Sequence, residues 1–115
     1  MRHTKEEASE KYPDVKFLGD VWIGDGARIG DGVLIKDGVK IWHGVVIGDD
    51  AVIGAGVEIW HDARIGDGVV IGDDVVIWVD AVIGHSAVIS AGVKIEPGAK
   101  VSAGMEVGPD IKVKG

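Results

Sequence analysis

The chain has 115 residues, a net charge of −7 and no cysteine. That length suits one domain around one continuous core, 16–115, behind a short lead-in, 1–15. Its Lys and Arg are scattered, so the concentrated cationic surface that nucleic acid or an anionic membrane requires is missing. Without cysteine there is no disulfide framework and no thiolate metal site. The polar residues 1–15 exclude a signal peptide, and no apolar run approaches membrane-spanning length. A cytoplasmic location is expected, or no native compartment if the chain is a recombinant product.

Thr4-Lys5-Glu6-Glu7 reads as a capping box. It predicts a helix that starts at Thr4, runs through about Lys11 and stops at Pro13. Ala8, Tyr12 and Leu18 are expected to plug the first coil of the repeat region. From Phe17 onward every sixth residue is large and apolar, through Ile23, Ile29 and Ile35 to Ile95, Val101, Val107 and Val113. Four residues after each of these (position 5 of a six-residue frame) stands a second, usually smaller, apolar residue such as Val33, Ala51 or Val57. Positions 5, 6 and 1 therefore alternate in, out, in, as a short strand requires. Positions 3 and 4 form a corner, and Pro97-Gly98 there is a type II turn signature. A helix cannot hold a period of six, because 3.6 residues per turn would smear the Ile column around the cylinder. Short strands bent every sixth residue close as a triangle of three hexapeptides, with parallel strands stacked about 4.8 Å apart.

Residues 18 apart then stack, and position 6 sorts into three unlike faces. The first carries Trp22, Lys40, Glu58, Val76, Lys94 and Lys112; the second carries Arg28, Val46, Arg64, Val82 and Lys100. The third is an apolar stripe of Leu34, Val52, Val70 and Val88 that ends at Glu106. An exposed apolar stripe on a flat sheet suits a homo-oligomer interface; strand propensity alone is the competing explanation. Trp42, Trp60 and Trp78 share position 2 and should form a ladder along one corner, either as packing or as a platform for a carbohydrate or partner. Pro109, Lys112 and Lys114 in the last turn discourage edge-to-edge pairing. There is no Asn or Gln and the single Thr is Thr4. That narrow palette suggests a designed or idealised sequence, with a very thermophilic source as the alternative, and leaves left-handed turns to Gly and Asp.

The segments IGDGVV, IGAGVE and IGDDVV resemble the hexapeptide-repeat family. The resemblance covers Phe17 to the C-terminus and implies an all-β, left-handed parallel β-helix that assembles as a trimer. IWHDARIGD around His61 resembles the His-bearing coil of hexapeptide acyltransferases acting on nucleotide-linked amino sugars, and KIWHGVVIGDD at His43 is similar to the opening repeat of sugar N-acetyltransferases. Carried over, His61 would be the general base and Asp62 an orienting carboxylate, with acetyl-CoA between subunits. VIGHSAVIS near His85 resembles the γ-class carbonic anhydrases, but the place of their second His holds Ser90, so no metal is expected.

Two functions stay open. The unbroken frame, lacking the loop with which family enzymes shape an acceptor pocket, favours a self-associating structural scaffold with no catalytic activity and no cofactor. The alternative is an acyl-CoA-dependent sugar N- or O-acetyltransferase using His61.

Overall fold

A computed structural model describes residues 2–115; Met1, part of the predicted lead-in, lies outside the described residues. The chain winds as an all-β, left-handed parallel β-helix with one short N-terminal helix. Strands of two or three residues form three sheets of seven, five and six strands, and strands adjacent within a sheet come from successive coils. The register is 18 throughout the coils: Ile41 pairs with Ile59, Val70 with Val88, Arg64 with Val82. Each coil donates backbone N–H groups to the next, as in Val52 to Val69 at 2.8 Å and Gly54 to Ile71 at 2.8 Å. Positions 5 and 1 supply the core, in which Ile35, Ile41, Val57, Ile59 and Val75 are fully buried.

The turns explain position 4. From Gly26 to Asp110, every sixth residue has a positive φ, Gly at most coils and Asp50, Asp62, Asp74, Asp80, Ser86 and Asp110 at the others. The expectation that Gly and Asp alone carry this conformation is corrected by Ser86, whose φ is 61°. Gly98 follows Pro97 with φ 71°, as the type II turn requires. At position 3, Asp carboxylates tie coils together. Oδ1 of Asp49 accepts from the backbone N–H of Asp31 at 2.9 Å, and Oδ1 of Asp67 from that of Asp49 at 2.8 Å.

The helix spans Lys5–Lys11 with Thr4 as N-cap, and both hydrogen bonds of the capping box are present. Those bonds from Thr4 hold the Glu7 carboxyl below its ordinary value. The sign is that of a stabilised carboxylate: its contribution is present while Glu7 is ionised and is lost as acid protonates it. Thr4→Ala is expected to cost about 1 kcal/mol, read as a lower urea midpoint.

Ala8 is fully buried, and Tyr12 meets Phe17 with ring centroids 6.3 Å apart. Leu18, expected in the plug, is instead 46% exposed, because Phe17 points inward and its neighbour must point out. The chain also closes the first sheet in a way no repeat could signal. Arg2–His3 pairs antiparallel with the strand Val21–Ile23, and His3 is buried. An exposed Arg2–Asp20 ion pair at 3.3 Å adds little.

Candidate active site at the Trp–His corner

One corner of the triangle joins the first sheet, with Val39–Ile41, Glu58–Ile59 and Val76–Ile77, to the second, with Val46–Ile47, Arg64–Ile65 and Val82–Ile83. It holds the Trp ladder. Trp42 and Trp60 stack at 4.6 Å with planes 10° apart, and Trp60 and Trp78 at 5.1 Å and 13°. Trp22 extends it, tilted 54° against Trp42 at 4.7 Å. Sequence spacing missed this fourth ring, since Trp22 leaves an outward strand position rather than the corner. Offset stacking of this kind contributes about 0.5–1.5 kcal/mol per pair beyond area burial. Trp60→Leu breaks two stacks at once and should lower stability by about 1–3 kcal/mol, measured by chemical denaturation. The indole N–H groups of Trp42 and Trp60 are buried and unpaired. A buried donor in that state costs about 1–3 kcal/mol, which offsets part of what the stacking contributes.

Beside the ladder, His43 and His61 stack one coil apart, with ring centroids 4.8 Å apart and planes at 57°. His61 is half-buried and His43 exposed. A shallow groove of about 440 Å³, lined by Trp22, Gly24, Asp25, Trp42 and His43, opens one coil away from His61. Asp62 takes the left-handed turn at φ 62°, and its carboxylate leans back over Gly44 in the preceding coil. It makes no hydrogen bond to His61; the backbone N–H of Asp62 donates to the carbonyl of His43 at 3.1 Å. His85 is carried by a different corner, between the second and third sheets, where its carbonyl accepts from Gly104 at 2.9 Å. The fold thus brings His43 and His61 together and keeps His85 away. Among the described residues no group of three or more His, Cys, Asp or Glu side chains is placed to hold a metal.

The apolar stripe is real as a column. Leu34, Val52, Val70 and Val88 stand in register on the third sheet, between Lys16 and Glu106. That sheet is the side of the triangle opposite the Trp–His corner. On the second sheet Arg64 and Lys100 are cations in one column, within the same wall as the corner, that could take the phosphates of a coenzyme.

Comparison with known proteins places these features. The family model described as bacterial transferase hexapeptide (six repeats) matches residues 26–59 and 50–85, and that of the hexapeptide repeat of succinyl-transferase matches 79–109. No curated protein sequence matches the chain. Among solved structures, a hexapeptide transferase family protein from Anaplasma phagocytophilum aligns at 23% identity and a TM-score of 0.81, over 88% of this chain and 63% of that one. The acetyltransferase domain of PglB from Neisseria gonorrhoeae aligns at 21% and 0.64, over 88% and 54%. A histidine-to-asparagine mutant of perosamine N-acetyltransferase from Caulobacter crescentus, in complex with CoA and GDP-perosamine, aligns at 22% and 0.53, over 93% and 57%. At these identities the likeness establishes the fold, and the chain spans between 54% and 63% of the length of these relatives.

Two expectations are corrected by these matches. The non-catalytic scaffold is overturned, because the repeats are those of transferase families and the fold is shared with acetyltransferases. The expected absence of a cofactor falls with it, since one of these relatives holds CoA. An unbroken repeat is weak evidence against an enzyme; a regular frame says how the coils stack and nothing about the chemistry mounted at a corner. With its matched repeats running from residue 26 to 85, more than half its length, the chain belongs to the bacterial transferase hexapeptide family.

Proposed function

We propose that this chain is an acyl-CoA-dependent acyltransferase acting on a sugar amine or hydroxyl, with His61 as general base. The observation that carries the reading is the transferase match across residues 50–85, which includes the coil that mounts His61 at the Trp-lined corner. Imidazole is the side chain that exchanges a proton near neutral pH. In the transfer, the attacking nitrogen or oxygen bonds to the acyl carbon, the carbon–sulfur bond breaks with CoA leaving as the thiolate, and the proton lost by the nucleophile passes to His61 and from it to that thiolate. Asp62 acts on His61 through the turn it holds, because its carboxylate lies over Gly44. The indoles spend their faces on one another and line the corner with ring edges, while Arg64 and Lys100 offer counter-charge for phosphates.

The trimer expected from the family resemblance has a geometric consequence. A site shared between subunits at His61 would need packing through the Trp–His corner, since the Leu34–Val88 stripe faces the other way. Incubating the chain with acetyl-CoA and a series of nucleotide-linked amino sugars, while following release of free CoA thiol, tests the activity. Turnover on at least one acceptor is expected; no thiol release and no thermal shift with acetyl-CoA across the series would end the proposal.

A further inference from the structure

We infer that His43 and His61 form a two-imidazole chelate for one divalent transition-metal ion of the nickel, copper or zinc type, and that the bound ion switches acyl transfer off. The chelate stands on geometry alone; its inhibitory effect rests on the role proposed above for His61. The two rings belong to adjacent coils, with centroids 4.8 Å apart and planes at 57°. A metal bonded to an imidazole nitrogen at about 2.0–2.1 Å lies about 3.2 Å from the centroid of that ring. One ion at that distance from both centroids sees the two rings about 100° apart, between the octahedral and the tetrahedral angle. The tilt matters as well. Flat-stacked rings hold their nitrogen lone pairs parallel, whereas rings inclined to each other turn them toward one point.

The coils hold the pair in place. The carbonyls of His43 and His61 accept from the backbone N–H groups of Asp62 at 3.1 Å and Asp80 at 3.3 Å, so each histidine is tied to the next coil. His43 is exposed and His61 half-buried, which leaves the pair open to an ion from solvent. Asp25, Asp62 and Asp80 share positions 3 and 4 of this corner with them, and no Lys or Arg does. That local negative charge favours a dication. Imidazole suits nickel, copper and zinc, whereas magnesium and calcium take oxygen ligands. Two protein nitrogens leave the other coordination positions to water, so the site is reversible; a closed structural zinc centre takes four protein ligands. His3 lies in the N-terminal strand and His85 at another corner, so neither joins the pair. With the ion on its nitrogen, His61 has no lone pair for the acceptor's proton, which makes the metal an inhibitor and not a cofactor.

Titration calorimetry with nickel chloride should give one ion per chain. His43→Ala and His61→Ala should each weaken that binding about tenfold or more, because either change reduces a chelate to a single ligand. His85→Ala should leave it unchanged, and magnesium should not compete. Copper(II) paramagnetic resonance on the wild-type chain, which needs no variant, should show two imidazole nitrogens. Acetylated product, followed by mass spectrometry because free CoA thiol itself binds metal, should fall as nickel fills the site. His43→Ala should resist that inhibition, and EDTA should reverse it. Unchanged nickel binding in either corner variant, a copper spectrum with one nitrogen, or loss of binding in His85→Ala would overturn the site. Nickel bound at the pair of an active enzyme without inhibition would overturn the inhibitory role. Nickel bound by a chain that acetylates no acceptor would leave the site standing and remove the acyl-transfer reading together with the inhibition.

Discussion

His61→Ala should lower the rate of acyl transfer by about 100- to 10,000-fold, the range a positioned general base contributes. KM for the acyl donor should change little, since the imidazole acts on the acceptor's proton rather than on the coenzyme. The fold should survive. His61 is a half-buried corner residue outside the hydrophobic core, its backbone keeps its carbonyl bond to Asp80, and Val79 fills the same place one coil on. A melting curve within a degree or two of wild type, beside a collapsed kcat, separates the chemical role from a structural one. His43→Ala is the informative companion, because its ring lies 4.8 Å from that of His61. If His43 only packs, the rate falls modestly; a collapse in His43→Ala with a modest loss in His61→Ala would move the base to His43.

The largest stability effect is expected from the core directly beneath that corner. Ile59 is fully buried and flanked by Ile41 and Ile77 in the coils on either side. Truncation to alanine leaves a cavity that neighbouring coils cannot fill without breaking register, so Ile59→Ala should cost about 2–5 kcal/mol. The control is Val70→Ala, which removes methyl groups from an outward residue on the third face and should cost far less in the dissociated chain. Equal losses at the two positions would mean that the column of isoleucines is not what holds the solenoid together. Since Ile59 immediately precedes Trp60 and His61, the same substitution should also depress turnover through displacement of the corner.

The solenoid was legible because its code is local and repeats. An apolar residue every sixth place, with a small turn former three places later, leaves one arrangement in which all the large side chains turn inward. The capping box was equally local, needing only Thr4 and Glu7 three residues apart. Leu18 misled because an apolar residue next to a turn can face either way, and the inward side was already taken by Phe17. The antiparallel strand at Arg2–His3 left no trace in the pattern, since two residues have no period.

The candidate site was legible in part. The 18-residue spacing put Trp42, Trp60 and Trp78 on one corner and His43 beside His61, and in the structure these rings lie 4.6–5.1 Å apart. The fourth indole, Trp22, and the carboxylate of Asp62 over Gly44 depend on side-chain direction, which spacing does not encode. Function misled for a related reason. Regularity of the repeat points away from chemistry when the residues are read alone, although a rigid frame is what holds a corner residue in place. It was the match to transferase repeats that decided against a scaffold.

By itself the sequence determined the period, the inward columns and the three outward faces, because strand alternation and steric turn rules act within a few residues. Only the closed triangle decided which face lies opposite which corner. That relation set His61 away from the apolar stripe, and it arises from three turns per coil acting together, a property that no single hexapeptide contains.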